Sequence, residues 1–426
     1  MINILLKGGD VLCADGQVRQ ADIAIEGSVI TQIGSVTDQA DSVIDCKNKL
    51  IIPGFVNTHT HAAMTLFRSY ADDMMLMDWL QTKIWPAEEN LTADDVYWGT
   101  QLAIAEMLKS GTTCFADMYF FMPDVARAVA ESGIRAVLAR GMAGVAPTAN
   151  QALVESENFY KEWHNAADGR ITVMLGPHAP YTCPPEYLKK VTALADKLGS
   201  QIHIHLSETA GEVADCQREY GKSPIALMQE LGVLDRGVLA AHCVHVSPDD
   251  IAIMKDKQVR VAHNPGSNMK LASGVAPVPD MLQAGICVGL GTDGAASNNN
   301  LDMLEEVRLA AMLHKVHRLD PLAIPAKAAV DMATVDGAEA LGLGKITGKI
   351  QSNYKADITI FDMQQPYWYP RHDRLSLLTY AASGRDVHTV IVDGKILLAN
   401  YQLTTIDEER LLSEVNRRGM RLIQPK

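Results

Sequence analysis

The sequence lacks the features that mark secreted, membrane-bound and nucleic-acid-binding proteins. Its seven cysteines are scattered, odd in number and free of Cys-x-x-Cys pairs, which argues against a disulfide framework and favours a reducing compartment. No run of Lys or Arg stands out and the formal net charge is -13, which disfavours a polyanion or an anionic membrane surface as a partner. The sequence shows neither a signal pattern nor an apolar stretch long enough to cross a bilayer. We therefore expect a cytoplasmic protein with no nucleic-acid or membrane partner.

Both ends of the chain are rich in short strand patterns, whereas the middle alternates strand and helix patterns. Near the carboxyl end, Asp393-Gly394 separates two apolar runs and is a strong hairpin signal. The simplest assembly is a small β-sandwich domain built from residues 1–52 and 346–426, the second part ending in a helix. Residues 53–345 would form a central α/β domain, and a chain of 426 residues is long enough for both domains.

The central region contains eight short apolar runs, nearly all followed by polar residues. Helical patterns fill most gaps between them; Ala93–Leu108, for example, has Thr92 as its predicted N-cap and ends before Gly111. Eight strand–helix units in about 240 residues match the size of a (β/α)₈ barrel, with an open doubly wound sheet as the alternative. The predicted strands are Ile51–Val56, Thr112–Phe115, Arg135–Ala139, Ile171–Leu175, Gln201–Leu206, Val238–Ala241, Val259–Ala262 and Cys287–Leu290.

Residues that can bind a metal or move a proton stand where these runs end. His59 and His61 lie two residues apart after the first run, so a strand would place both on one side, able to hold one cation. The alternative is a pair of surface histidines. In a barrel the carboxyl ends of all strands meet at one face. The groups at the other run ends are Asp117, Arg140, His178, His205 with Glu208, His242, His263 and Asp293.

The remaining histidines are expected to have structural or solvent-facing roles. His203 should pack in or around the barrel, and His263 should hold a loop through hydrogen bonds. His314 and His317 lie in the helical pattern Leu301–Arg318 and are expected on its solvated surface.

Several of these motifs resemble the amidohydrolase superfamily, and more narrowly its 5′-methylthioadenosine/S-adenosylhomocysteine deaminase branch, within the triazine-hydrolase and cytosine-deaminase-like group. The resemblance covers essentially the whole chain. It rests on His59-x-His61 after Pro-Gly-Phe, His205-Leu-Ser-Glu208, Ala-His242-Cys, His263-Asn-Pro-x-Ser-Asn-Met-Lys-Leu and Gly-Thr-Asp293-Gly.

The resemblance implies a catalytic metal centre at the carboxyl ends of the barrel strands. Asp293 would accept a proton from the attacking water, His242 would hydrogen-bond the attacking oxygen, and Glu208 would protonate a ring nitrogen of the substrate and help ammonia leave. Such a donor set suits zinc, with iron as the alternative. The residues that would bind one divalent ion are His59, His61, His205 and Asp293.

The resemblance also implies a set of substrate contacts. The segment Ala62–Asn90 is too long for a plain connection and is rich in Met and aromatic residues, which predicts a lid or a substrate wall. Trp79 would lie against the substrate, and Glu88 would bind the ribose hydroxyls, although the adjacent Glu89 is an alternative. His178 would contact purine or ribose, together with Glu208 and Asp293.

One departure from the family pattern bears on the substrate. Arg140 would line the 5′ side of the site, but residues 141–169 contain no second arginine that could pair with an amino-acid carboxylate. A neutral methylthio group needs no such partner, so 5′-methylthioadenosine is the expected preferred substrate.

We therefore expect a metal-dependent hydrolytic deaminase that converts 5′-methylthioadenosine, and more slowly S-adenosylhomocysteine and adenosine, to the inosine derivative and ammonia. One alternative is a deaminase of a free base such as guanine, cytosine or an oxidised purine, or a triazine hydrolase. Another is a non-catalytic scaffold on the same fold. Exposed barrel helices also leave room for a homo-oligomer.

Overall fold

Two sheets carry the fold of residues 2–424, the part of the chain that the computed structural model describes. The first five strands belong to a mostly antiparallel sheet, the next eight form a parallel barrel, and the last four return to the first sheet. The first five are β1 (Ile2–Leu12), β2 (Val18–Glu26), β3 (Val29–Gly34), β4 (Ala40–Asp45) and β5 (Lys49–Pro53). The barrel strands are β6 (Phe55–Thr60), β7 (Thr112–Tyr119), β8 (Arg135–Met142), β9 (Ile171–Pro177), β10 (Ile202–Leu206), β11 (Val238–His242), β12 (Arg260–His263) and β13 (Val288–Leu290). The last four are β14 (Ile358–Asp362), β15 (Val387–Val392), β16 (Lys395–Ala399) and β17 (Gln402–Leu403).

The predicted (β/α)₈ barrel and the sheet built from both chain ends are confirmed. The sheet of the chain ends has nine strands, in which β14 pairs antiparallel with β5 and joins the two ends. The predicted hairpin is also present, since β15 and β16 pair antiparallel around Asp393-Gly394. The domain boundaries at residues 52 and 345 stay a prediction; β5 ends at Pro53 and still belongs to the sheet of the chain ends.

The run Ile51–Val56, predicted as the first barrel strand, is wrong as a single strand. Ile51 and Ile52 pair with β14, whereas Phe55 and Val56 pair with β7 in the barrel. Gly54 separates the two, and a side chain there would collide with Thr113, because an added Cβ would lie 2.1 Å from its methyl carbon. The chain thus passes from one sheet to the other across Pro53-Gly54, and the first barrel strand includes His59 and ends just before His61.

Helices cover the outside of the barrel and the face that carries the cavity. The predicted cap of the helix Ala93–Lys109 is confirmed: Thr92 and Asp95 form a capping box. The helices around the barrel are Ala93–Lys109, Met122–Ser132, Ala149–Trp163, Pro185–Leu198, Ala210–Tyr220, Pro224–Glu230, Pro248–Asp256, Val278–Ala284, Met303–Arg318, Ala326–Met332 and Val335–Ala340. Short segments are Ala62–Phe67 (3₁₀), Leu76–Trp79, Leu80–Ile84 (π), Trp85–Glu88, Ala166–Gly169, Val233–Arg236 (3₁₀) and Pro265–Lys270. The part after the barrel contains Pro366–Trp368 and Gly384–Asp386 (both 3₁₀), Arg374–Tyr380 and Glu408–Leu422. None of the helices in residues 2–424 has the length and apolar character needed to cross a membrane.

The expectation that His314 is solvated is wrong. His314 lies on the inner face of the helix Met303–Arg318 and is buried, with its Nε2 atom 3.1 Å from Nε2 of His263. His317 is exposed as expected. Burial lowers the pKa of His314 to about 4, so two neutral imidazoles face each other and pack the helix onto the end of β12.

A buried ion pair joins the barrel to the sheet of the chain ends. Arg135, the first residue of β8, donates from Nε and Nη2 to the two carboxylate oxygens of Asp357, at 2.7 and 3.1 Å. Both side chains are almost fully buried. Asp357 also accepts from the backbone N–H of Asp393 at 2.8 Å. Since a two-pronged contact of this kind satisfies both charges, removing one partner leaves the other buried and unpaired.

We predict that Arg135→Met destabilises the protein by about 3–5 kcal/mol, the usual cost of stranding one member of a buried ion pair. The measurement is the free energy of unfolding from a urea titration. Arg19→Met is the matched control, because Arg19 pairs with Asp15 on the surface and should contribute about 0–1 kcal/mol. Equal losses for the two variants would contradict the structural role of the Arg135 pair.

Candidate active site

A cavity of about 310 Å³ opens at the carboxyl ends of the barrel strands. Apolar side chains from the segment after β6, among them Met64, Trp79 and Trp85, form much of its wall. Six of the polar groups that line it come from the ends of five barrel strands: His61, His178, His205, Glu208, His242 and Asp293. The strand ends therefore bring most of the residues singled out in the sequence to one place.

Three of these groups, His61, His205 and Asp293, form a tight donor cluster with the fully buried His59. The Asp293 carboxylate oxygen Oδ1 lies 3.5 Å from Nε2 of His59 and 3.4 Å from Nε2 of His61. Nε2 of His205 lies 3.3 Å from Nε2 of His61. The Nε2 atom of His59 is buried and has no hydrogen-bond partner among the described residues. A buried imidazole nitrogen without a partner, beside a carboxylate and two more imidazoles, fits the ligand chemistry of a divalent cation.

The other ring nitrogen of each histidine in the cluster is held by a neighbour. A carbonyl oxygen can only accept a hydrogen bond, so a histidine facing one carries its proton on Nδ1 and directs the Nε2 lone pair into the cluster. The Nδ1 contacts are His59 to Nε2 of His203 (2.8 Å), His61 to the carbonyl of Met118 (2.6 Å) and His205 to the carbonyl of His178 (2.7 Å). His203 thus lies inside the barrel, behind the cluster.

Asp293 is fixed by two hydroxyls and by a backbone amide. Its Oδ2 atom accepts from Ser267 at 2.7 Å and from Ser297 at 2.9 Å, and its Oδ1 atom accepts from the N–H of Gly294 at 2.7 Å and lies beside His59 and His61. The residue adopts a left-handed conformation (φ 62°), which is uncommon outside glycine. Burial alone would raise the pKa of Asp293, but the neighbouring imidazoles outweigh it and lower that pKa well below its usual value.

Glu208 and His242 face each other beside this cluster. Oε2 of Glu208 lies 3.8 Å from Nε2 of His242, and both residues are buried. Nδ1 of His242 lies 2.9 Å from Oδ1 of Asn268 and 3.4 Å from Nδ2 of Asn264, so two amide side chains hold this imidazole. Burial raises the pKa of Glu208. The pair therefore combines a carboxyl group that retains its proton to higher pH with an imidazole held in one orientation.

Glu88 lies in the cavity, whereas Glu89 is exposed. The phenol hydroxyl of Tyr119 donates to Oε1 of Glu88 at 2.6 Å, and burial raises the pKa of this carboxyl to about 7. Trp79 is buried in the wall, and its indole N–H donates to the carbonyl of Ala71 at 3.0 Å. The geometry therefore places Glu88, not Glu89, where a ligand could meet it.

The two remaining sequence candidates differ in their position. His178 lines the cavity, and its Nδ1 atom lies 2.9 Å from the hydroxyl of Thr182. Arg140 lies outside the lining of the cavity, where its guanidinium donates to Glu155 at 2.8 and 3.0 Å. None of the described residues that line the cavity is a Lys or an Arg.

The structure adds supporting residues that the sequence reasoning missed. Ser267 and Asn268 belong to the motif that begins at His263, so a signal for them existed in the sequence. Tyr119 and Glu212 stand in no motif, and their contacts depend on the folded chain alone. Such residues become visible only when distances are known.

Residues 50–397 match the amidohydrolase family. The chain belongs to this family. A curated relative from Pelotomaculum thermopropionicum, named 5-methylthioadenosine/S-adenosylhomocysteine deaminase, is 54% identical over 99% of both chains. An adenosine deaminase from Xanthomonas campestris, solved with bound zinc, superimposes with a TM-score of 0.95 at 34% identity over 99% of this chain and 98% of that one. An atrazine chlorohydrolase from Arthrobacter aurescens, complexed with zinc, superimposes with a TM-score of 0.91 at 24% identity over 99% of this chain and 100% of that one. This likeness shows the fold alone. The predicted resemblance is confirmed.

We predict that this amidohydrolase binds about one divalent ion per chain, because the two candidate donor groups, His59–His61–Asp293 and His59–His205–His242, share His59 and so mark one site. Asp293→Asn should lose most of the activity while the fold is kept. Elemental analysis of the purified protein measures the ion, and circular dichroism checks the fold. Asp215→Asn is the matched control, because Asp215 is exposed on the helix Ala210–Tyr220. It should leave the activity, the ion content and the fold unchanged. Two tightly bound ions per chain would contradict the single site.

Proposed function

We propose that the protein is a metal-dependent hydrolytic deaminase of 6-aminopurine nucleosides that carry a 5′ thioether. The observation that carries this proposal is one cavity in which His61, His205 and Asp293 of the donor cluster share an apolar space with Glu208 and Glu88. The curated relative that covers 99% of the chain is named for this activity. A deaminase needs a site that activates water, an acid for the ring and a pocket for the nucleoside, and each part has residues here.

The residues His59, His61, His205 and Asp293 would hold the metal. Zinc is the proposed ion, because neutral imidazoles with one carboxylate suit it and the 34% identical adenosine deaminase was solved with zinc. Iron suits the same ligands. When bound, the ion supplies Lewis-acid activation of water at this point.

The side chains around the cluster would move the protons. Asp293, ionised because of its neighbours, accepts the proton of the water that adds to the ring carbon bearing the amino group. Glu208 donates a proton to the adjacent ring nitrogen, and His242 hydrogen-bonds the oxygen that has added. Asp293 then passes the proton it accepted to the amino nitrogen, the C–N bond breaks and ammonia leaves. The added hydroxyl returns its proton to Glu208 as it becomes the carbonyl of the inosine derivative.

The rest of the cavity suits a thioether nucleoside. Glu88 can accept from both hydroxyls of a ribose diol, and Tyr119 orients it. Met64, Trp79 and Trp85 offer apolar, polarizable surface for the base and the methylthio group. The lining among the described residues contains no Lys or Arg, which argues against a 5′ phosphate or another anionic tail.

The alternatives explain fewer of these features. A free-base deaminase or a triazine hydrolase needs no partner for a ribose diol, and the likeness to the chlorohydrolase at 24% identity shows the fold alone. A non-catalytic scaffold would not need a cluster whose donor atoms are aligned by His203 and two backbone carbonyls. The cluster, Glu208 and Glu88 together favour the nucleoside deaminase.

We predict that Glu208→Gln lowers turnover by about 10² to 10⁴, the usual contribution of a general acid. The metal content should stay at the wild-type level, because Glu208 lies beside the donor cluster and not in it. Ammonia release and elemental analysis measure the two quantities. Near-normal turnover in this variant would show that Glu208 does not supply the proton.

We predict that 5′-methylthioadenosine has the highest kcat/KM, followed by S-adenosylhomocysteine and adenosine. Arg140 is engaged by Glu155, so a substrate carboxylate lacks part of a charge-assisted contact of about 1.5–3 kcal/mol, or about ten- to a hundredfold in kcat/KM. Kinetics with the three nucleosides and free adenine measure the order.

The variants Glu88→Gln and Glu89→Gln form a matched pair for this prediction. Only the first should reduce the preference for nucleosides over free adenine, because Glu89 is exposed. S-adenosylhomocysteine outrunning 5′-methylthioadenosine would overturn the substrate order, and efficient deamination of free bases would favour the alternative.

A further inference from the structure

We propose that Glu212 is a positioning residue, whose carboxylate holds the Ser207–Glu208 turn so that Glu208 can reach the substrate. This inference rests on the proposed function. Glu212 lies in the first turn of the helix Ala210–Tyr220 and is buried, and it is not among the residues that line the cavity. It would therefore act through Glu208 and not on the substrate.

The two oxygens of the Glu212 carboxylate accept from two successive backbone amides. Oε1 accepts from the N–H of Ser207 at 2.9 Å, and Oε2 accepts from the N–H of Glu208 at 2.8 Å. Burial raises the pKa of the Glu212 carboxyl to about 7, whereas the two backbone N–H donors favour its ionised form. Both oxygens of the Glu212 carboxylate therefore bind the turn that carries Glu208.

The turn needs this support because its backbone is strained. Ser207 adopts a left-handed conformation (φ 53°), which is uncommon for residues other than glycine. Its hydroxyl is buried and has no partner among the described residues, so the side chain of Ser207 does not hold the turn. The carbonyl of Ser207 accepts from the N–H of His245 at 2.9 Å. The turn is therefore fixed on one side by a loop and on the other by Glu212.

Helix capping does not explain the contact. Thr209 is the N-cap of the helix Ala210–Tyr220, and its hydroxyl already accepts from the N–H of Glu212 at 3.1 Å. The carboxylate of Glu212 reaches back past this cap to residues that precede the helix. A side chain that served only the helix would have no reason to bind the N–H of Glu208, whose carboxyl group lies 3.8 Å from His242.

A double-mutant cycle with Glu208 tests the proposal in the full-length, metal-loaded enzyme. In Glu212→Gln one oxygen is replaced by an NH₂ group, which cannot accept, so one of the two amides loses its partner. We expect kcat for 5′-methylthioadenosine to fall about 10- to 100-fold with KM changed less than about threefold, since only the placement of the acid is altered. In the Glu208→Gln background the same change should cost less than about threefold, because residues that act through each other are not additive.

The controls separate positioning from general destabilisation. Glu219→Gln changes an exposed carboxylate on the same helix and should leave kcat unchanged. Glu212→Asp keeps the charge but shortens the side chain, and it should retain more activity than Glu212→Gln. Metal content and unfolding midpoint are measured for every variant, so a loss caused by a damaged site is recognised.

Full additivity of the Glu208 and Glu212 losses would overturn the positioning role and leave the deaminase intact. A normal kcat in Glu212→Gln, or a loss that follows metal content, would overturn it as well. Absence of ammonia release by the wild-type enzyme from every nucleoside would instead overturn the proposed function, and the positioning role with it.

Discussion

The closure of the barrel is the constraint on which the rest of the structure depends. The backbone N–H of Asp293, just after the last barrel strand, donates to the carbonyl of His59 on the first at 2.9 Å. The preceding residue, Thr292, donates from its backbone N–H to Oδ1 of Asn57 at 3.0 Å. The same contacts that close the barrel therefore bring the Asp293 carboxylate beside the imidazoles of His59 and His61. The contacts that complete the fold therefore also bring together donor residues that are far apart in sequence.

The neighbouring strands then set the directions of the donors. The carbonyls that hold His61 and His205 belong to Met118 on β7 and to His178, which follows β9. A slip in the pairing of these strands would rotate both imidazoles, because parallel register decides which carbonyl faces which ring. The precision of the cluster is thus a property of the barrel backbone, and conservative changes on the outer helices should disturb it little.

The sequence allowed prediction of the barrel and of the groups at its strand ends for one physical reason. Parallel strands buried on both faces read as apolar runs, and the polar residues that end them must meet at one face. Pro53-Gly54 marks a bend within Ile51–Val56, but the change of sheet there was not predicted, because it depends on contacts with β14 and Thr113. His314 was misplaced because helical periodicity does not say which partner a polar side chain meets. Glu212 and Tyr119 have no local signal at all, because their function lies in distances to other elements.

The two carboxylates nearest the reacting atoms have environments of opposite character. Asp293 is surrounded by imidazoles, which lower its pKa despite burial. Glu208 is buried beside His242, and burial raises its pKa. A hydrolytic deamination needs one group that accepts a proton and another that donates one at the same pH. Because the environments separate the two pKa values, a range of pH exists in which Asp293 is ionised while Glu208 still carries its proton. An aspartate and a glutamate in the same environment would ionise at almost the same pH. The roles of Asp293 as proton acceptor and Glu208 as proton donor therefore follow from where the barrel places each residue.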